Sequence, residues 1–243
     1  MLIQIFENIL IVIVLLFGVP FLFTVMLSKL NQETKSLVAS HLGIRSQVFI
    51  GGIGVMIHEA SHWLMALIFR HRIDSVRLIK FPTQDEPTLG YVNHSWNPNS
   101  IYQRTGNLFI GLAPTFGCSL IMLLAYKILF PISFSSAILA VRNSDLQAFS
   151  LPEFSVAGYV IFILLAITIC VGGFDLSSAD FNNAKQGLIP ALITVIVITV
   201  LLSLTSLFSG MLTGIIHFTI GIAIILVFNL VISIIINWLA KLL

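Results

Sequence analysis

Six stretches of the chain, near 5–27, 48–69, 107–130, 156–173, 187–208 and 211–239, are almost continuously apolar. A bilayer's hydrocarbon core of roughly 30 Å takes about 20 such residues as helix, and inside it every backbone polar group must be satisfied within the segment itself. With 58% hydrophobic residues, 9% charged residues and a mean hydropathy of +1.05, a soluble fold is excluded. The expected fold is an all-α polytopic membrane protein of about six transmembrane helices, a single membrane-embedded domain over 1–243 that closes with a helix pair at 187–239. The first run has neither a basic n-region nor a small-residue cleavage site, so it is expected to stay as a span.

Six crossings would return both termini to one side. Arg70, Arg72, Arg77, Lys80 and Arg104 follow the second run, whereas Lys29, Lys35 and Arg45 precede it. The positive-inside rule then makes the longer loop cytoplasmic, with both termini and the 174–186 turn, and puts 28–47 and 131–155 outside a cell membrane crossed several times. The 12 basic and 10 acidic residues leave +2 and form no stripe that could follow a phosphate backbone, so nucleic acid is not an expected partner. Cys118 and Cys170 lie inside apolar runs without CxxC spacing, which indicates neither a disulfide framework nor a thiolate metal site. No internal repeat of the transporter kind is visible, and oligomeric state is not legible.

The second run reads GGIGVMIHEASHWLMALIF and carries His58, Glu59 and His62 well inside its ends. Ionisable groups at such depth cost on the order of 2.5–3.5 kcal/mol each, so they need a compensating partner. His58 and His62, four apart, stand about 6 Å apart along one helix face, a spacing that brings two imidazoles to one cation. Glu59 points about 100° round the helix, near enough to reach a water on that cation without ligating it. With six His and five Glu in the chain, chance supplies roughly 0.003 HExxH matches. The pattern is that of the zincins, two zinc ligands and a general base, and the expected cofactor is Zn2+. Against it stands a polar cluster satisfied between helices. Gly51, Gly52 and Gly54 would let another backbone pack close to this helix.

A catalytic zinc takes a third protein ligand. Asp180 and Asp175, in VGGFDLSSADFNNAKQG, are the carboxylates beside membrane helices. Asp180 is the first choice, although Ser177 three residues earlier also makes it the acidic member of a capping box. Asp175 is the alternative, and His94, His217, Asp145 and Glu153 complete the candidates. Asn182 and Asn183 could hold the carboxylate or a substrate carbonyl. His217, alone in the last run, is expected to bond a neighbouring helix; His41 and His71 receive no role.

Residues 74–96, DSVRLIKFPTQDEPTLGYVNHSW, carry alternation around Val76 and Leu78, a turn-rich PTQDEPTLG and then Tyr91–Val92, which together signal a β-hairpin after the second run. Such an edge could pair with an extended substrate. Pro114, with Gly111 and Gly117, is expected to kink or unwind the third run.

HEASH on an apolar helix, a basic loop ending in GYV, and GLAPTFG at the start of the next run together resemble the site-2 protease family of intramembrane zinc metallopeptidases, over roughly 48–190. The resemblance implies His58, His62 and a later aspartate on zinc, Glu59 activating water, 76–94 as the hairpin that receives substrate, Ala113–Pro114 in place of the family's Gly-Pro element, and a membrane protein or peptide as substrate. The family's aspartate lies in an Asp-Gly motif that this chain lacks, and the SxxD at 177–180 resembles the substitute used in divergent relatives.

Overall fold

The computed structural model describes residues 2–83, 86–143 and 145–242. The chain forms α1 (Leu2–Ile13), a π-helical turn (Val14–Gly18), α2 (Val19–Leu42), α3 (Ser46–Ile68), β1 (Arg72–Arg77), β2 (Tyr91–Ser95), α4 (Ile101–Leu129), α5 (Pro131–Asn143), a short 3-10 turn (Leu146–Ala148), α6 (Val156–Gly172), α7 (Ser178–Ser203) and α8 (Leu207–Ala240). Among the described residues, four helical stretches are long and apolar enough to cross a membrane: Leu2–Leu42, α4, α7 and α8. The motif helix α3 is diluted by glycines, two histidines and a glutamate, and α6 is shorter.

Two sequence expectations change. The segment 28–47 is not a loop, because α1 and α2 continue as one 41-residue helix to Leu42. The polar stretch 131–155 contains a helix from Pro131 to Asn143. The second change concerns α6 and α7. Along α4, Gly187 lies against Leu108, Gly111 against Asp180 and Ala184, Cys118 against Gly173, and Phe130 against Tyr159 at 5.0 Å between ring centroids. Residue numbers fall steadily on one partner as they rise on the other. Therefore α6 and α7 lie end to end beside one antiparallel α4, and 173–177 interrupts a single helical path.

The other long contact is parallel. Leu15 meets Thr219, Asn31 meets Ser233 and Thr34 meets Asn237, so α1–α2 and α8 run in the same direction and the termini lie at opposite ends of this pair. Asn229, Ser233 and Asn237 recur every four residues and form a buried polar stripe on α8, with Asn229 Nδ2 donating to Ser119 Oγ at 3.1 Å. Between helices in lipid, where apolar contact adds little, such bonds and close backbone approach hold the bundle. The approach is clearest where α3 crosses α6. A methyl on Gly54 would sit 2.2 Å from Thr168 O, and one on Gly172 2.1 Å from Gly51 O. The free Cys118 and Cys170 are fully buried beside Met122, Ile169 and Phe174.

The hairpin pairs β1 and β2 antiparallel, Arg72 with Ser95 through Arg77 with Tyr91, with an irregularity that leaves Asp74 extra between Ile73 and Ser75. β1 starts earlier and ends earlier than the alternation at 76–80 suggests. The Lys80 N–H still donates to Leu89 O at 2.6 Å, prolonging the ladder. Of the turn PTQDEPTLG, Gln84 and Asp85 lie outside the described residues.

Candidate metal centre

The site forms where α3 passes the interruption between α6 and α7. His58 and His62 are buried on one face of α3 with their Nε2 atoms 3.1 Å apart. Each ring is anchored from behind: His58 Nδ1 lies 2.9 Å from Gly173 O, and His62 Nδ1 2.7 Å from Ile110 O. A carbonyl only accepts, so each Nδ1 donates to it, and in the neutral ring this leaves Nε2 with a lone pair that a metal can take. Two such lone pairs at this distance repel unless a proton or a metal ion lies between them.

Asp180 completes the group. Its Oδ1 is 3.1 Å from His62 Nε2 and its Oδ2 3.8 Å from His58 Nε2. A tetrahedral zinc with roughly 2.0–2.1 Å bonds has ligand–ligand edges of about 3.3 Å, close to the 3.1 Å between the two Nε2 atoms and the 3.1 Å from His62 Nε2 to Asp180 Oδ1. The donor set of two imidazoles and one carboxylate is one that zinc accepts, and it leaves a fourth position open. Among the described residues these three side chains form the group that could hold a metal ion, with ligand atoms within 4.8 Å of one another.

The capping role of Asp180 and its place in this group coexist. Ser177 caps α7, its Oγ accepting from Asp180 N at 3.2 Å, while Asp180 Oδ2 accepts from Ser177 N and Ser177 Oγ, both at 2.7 Å. The capping box fixes the carboxylate through Oδ2 and leaves Oδ1 beside His62 Nε2. A break in a helical path is tolerated at membrane depth where it is enclosed by protein or lines a cavity. This one places the end of α6 and the start of α7 on either side of the two histidines.

Glu59 is buried outside that group and lines the same cavity of about 480 Å³, with Lys35, Tyr91, His94, Asp175 and Asn183. Gly90 explains how the hairpin lies over it: a methyl there would stand 2.7 Å from Glu59 Cγ and 2.9 Å from the carbonyls of Arg77 and Leu78.

The remaining candidates separate clearly. Asp175 is held by Lys35, Nζ to Oδ2 2.7 Å. Asp145 accepts from Gln147 N and Glu153 from Ile132 N, both near α5 and away from the cavity. His217, expected to bond a neighbouring helix, lies on the exposed face of α8. His41 is exposed on α2. His71, given no role from sequence, joins His94 and Asn183 in a relay. Asn183 Nδ2 donates to His94 Nε2 at 3.0 Å, His94 Nδ1 donates to His71 Nδ1 at 3.0 Å, and His71 Nε2 donates to Gln103 O at 2.8 Å. The chain ties β2, α7 and the starts of β1 and α4 together. Burial pushes His94 down to about 4, helped by the neighbouring imidazoles, and burial also lowers His71. Their spacing of 23 residues has no motif, and only His94 beside a β-prone pair hinted at it. Pro114 is buried inside a continuous α4, so the expected unwinding does not occur.

Compared with protein-family models, with curated proteins and with solved structures, the chain matches none.

Proposed function

We propose that this protein is a membrane-embedded zinc metalloprotease of site-2 protease type, hydrolysing peptide bonds of membrane-associated proteins or peptides. One observation carries the reading: two buried imidazoles whose Nδ1 atoms bond backbone carbonyls turn their Nε2 atoms to each other and to one carboxylate. Zinc, when bound there, polarises a carbonyl and brings the acidity of water towards neutrality. Glu59 takes the proton from the attacking water in the cavity and delivers it to the leaving amine. The edge of β2 beside Glu59 suits an extended substrate segment, which can add to it by backbone hydrogen bonds.

The chain, in this reading, crosses the membrane five times: by α1–α2, α3, α4, the interrupted α6–α7 path, and α8. The termini then lie on opposite sides.

Glu59→Gln tests the base. It should lower cleavage of a reporter helix by 10²–10⁴-fold, the range for a lost general acid–base, while zinc content stays at the wild-type level. Normal cleavage by this variant would remove Glu59 from the mechanism. The interrupted helix favours one rival, since ion carriers also build sites at such breaks. Zinc or proton uptake into proteoliposomes without cleavage would support the carrier.

A further inference from the structure

Pro114 stands near the middle of α4, and the helix runs through it without a break from Ile101 to Leu129. A proline has no N–H to give the carbonyl four residues back. That carbonyl belongs to Ile110, which accepts from His62 Nδ1 at 2.7 Å. The bond is buried, with Ile110 1% exposed and His62 6%. The other imidazole is held in the same way. His58 Nδ1 bonds the carbonyl of Gly173 at the end of α6, and the N–H four residues on, that of Ser177, is turned to Asp180 Oδ2 at 2.7 Å. Both ring anchors are thus carbonyls that lack their helical donor, one through a helix end and the other through a proline.

We propose that Pro114 is a positioning residue. By withholding one N–H it frees Ile110 O to fix the His62 ring with Nδ1 protonated and Nε2 bare, and so sets the metal affinity of the site. The metal part of this proposal rests on the zinc reading above; the tautomer part does not.

Pro114→Ala restores the N–H in a residue that favours helix, so α4 is retained. The full-length protein, histidine-labelled with 15N in detergent micelles and free of metal, is compared by NMR with this variant, the His62 signals being assigned by their loss in His62→Gln. Zinc affinity is then measured by competition with a chromophoric chelator. In the wild type His62 carries its proton on Nδ1. In Pro114→Ala the proton moves partly or wholly to Nε2, and zinc affinity falls by about 10–100-fold, as for other lost ligand-orienting bonds. A wild-type His62 protonated on Nε2 overturns the proposal, even if the variant fails to fold. So does a variant that keeps the Nδ1 proton and binds zinc within about twofold of wild type, which would make the proline a matter of helix shape. A wild-type protein that binds no zinc, yet whose His62 tautomer follows residue 114, upholds the positioning role and removes the zinc reading alone.

Discussion

Gly111→Ala probes the contact that brings Asp180 to the histidines. The added methyl would lie 2.3 Å from Asp180 O, 2.7 Å from Ala184 N and 3.0 Å from Ala184 Cβ. Ordinary carbon contacts begin near 3.4 Å, so the first turn of α7 must withdraw by about 1 Å. The closest atoms are backbone, and no side chain can swing aside. His58 and His62 are anchored on α6 and α4 through their Nδ1 atoms, so the carboxylate moves relative to both imidazoles. Overpacking of this kind costs about 1–3 kcal/mol of stability. A displacement near 1 Å at a reacting site costs about 10²-fold in rate. The assay pairs zinc competition with cleavage of a reporter helix in the same micelles. The expected result is a folded protein with zinc affinity lower by at least about tenfold and cleavage lower by about 10²-fold. Wild-type affinity and rate together would refute the reasoning, since α7 could not then be held against Gly111 as described.

Gly90→Ala places a methyl against Glu59 Cγ and two strand carbonyls, and should reduce cleavage while leaving zinc stoichiometry unchanged, as read by metal analysis beside kinetics. Asp175→Asn breaks only the pair with Lys35, which is partly exposed and worth about 0.2–1 kcal/mol; zinc affinity should hold, and its loss would make Asp175 a ligand. Because burial holds His94 near 4, well below the unfolded imidazole value of about 6.5, the folded protein resists taking up this proton. The contribution of His94 to stability is complete above about pH 6.5 and is lost as the pH falls from there to about 4, so thermal unfolding should show a slope in that window that flattens in His94→Gln.

Hydropathy and one motif carried a good part of this account. The spacing of His58 and His62, the burial of Glu59 beside them, and Asp180 at the start of a helix follow from residue chemistry, because a penalised charge in an apolar run must have a partner. The glycines of α3 pointed to close packing, and Gly51 and Gly54 provide it against α6. What hydropathy could not give was direction. Asp175, Ser177, Asp180 and Asn182 divide two apolar runs whether the chain reverses there or continues after a break, and only the sequence of neighbours along α4 distinguishes the two. The extra helical turns of α2 escaped for a related reason: Asn31, Thr34 and Ser28 are polar but pair with α8 and the 176 carbonyl, so they lower the hydropathy of a buried helix. The role of Pro114 was invisible because its effect falls on Ile110, four residues away, and from there on another helix.

The central claim is that His58, His62 and Asp180 hold one metal ion together. X-ray absorption at the zinc edge, with metal analysis of the purified full-length protein, tests it most directly. The expected result is about one zinc per chain with two imidazole nitrogens and oxygen donors at about 2.0–2.2 Å, and a clear loss of bound zinc in His58→Ala and in Asp180→Asn. A folded wild-type protein that retains no metal after zinc supplementation, or zinc binding that survives both substitutions, would contradict it.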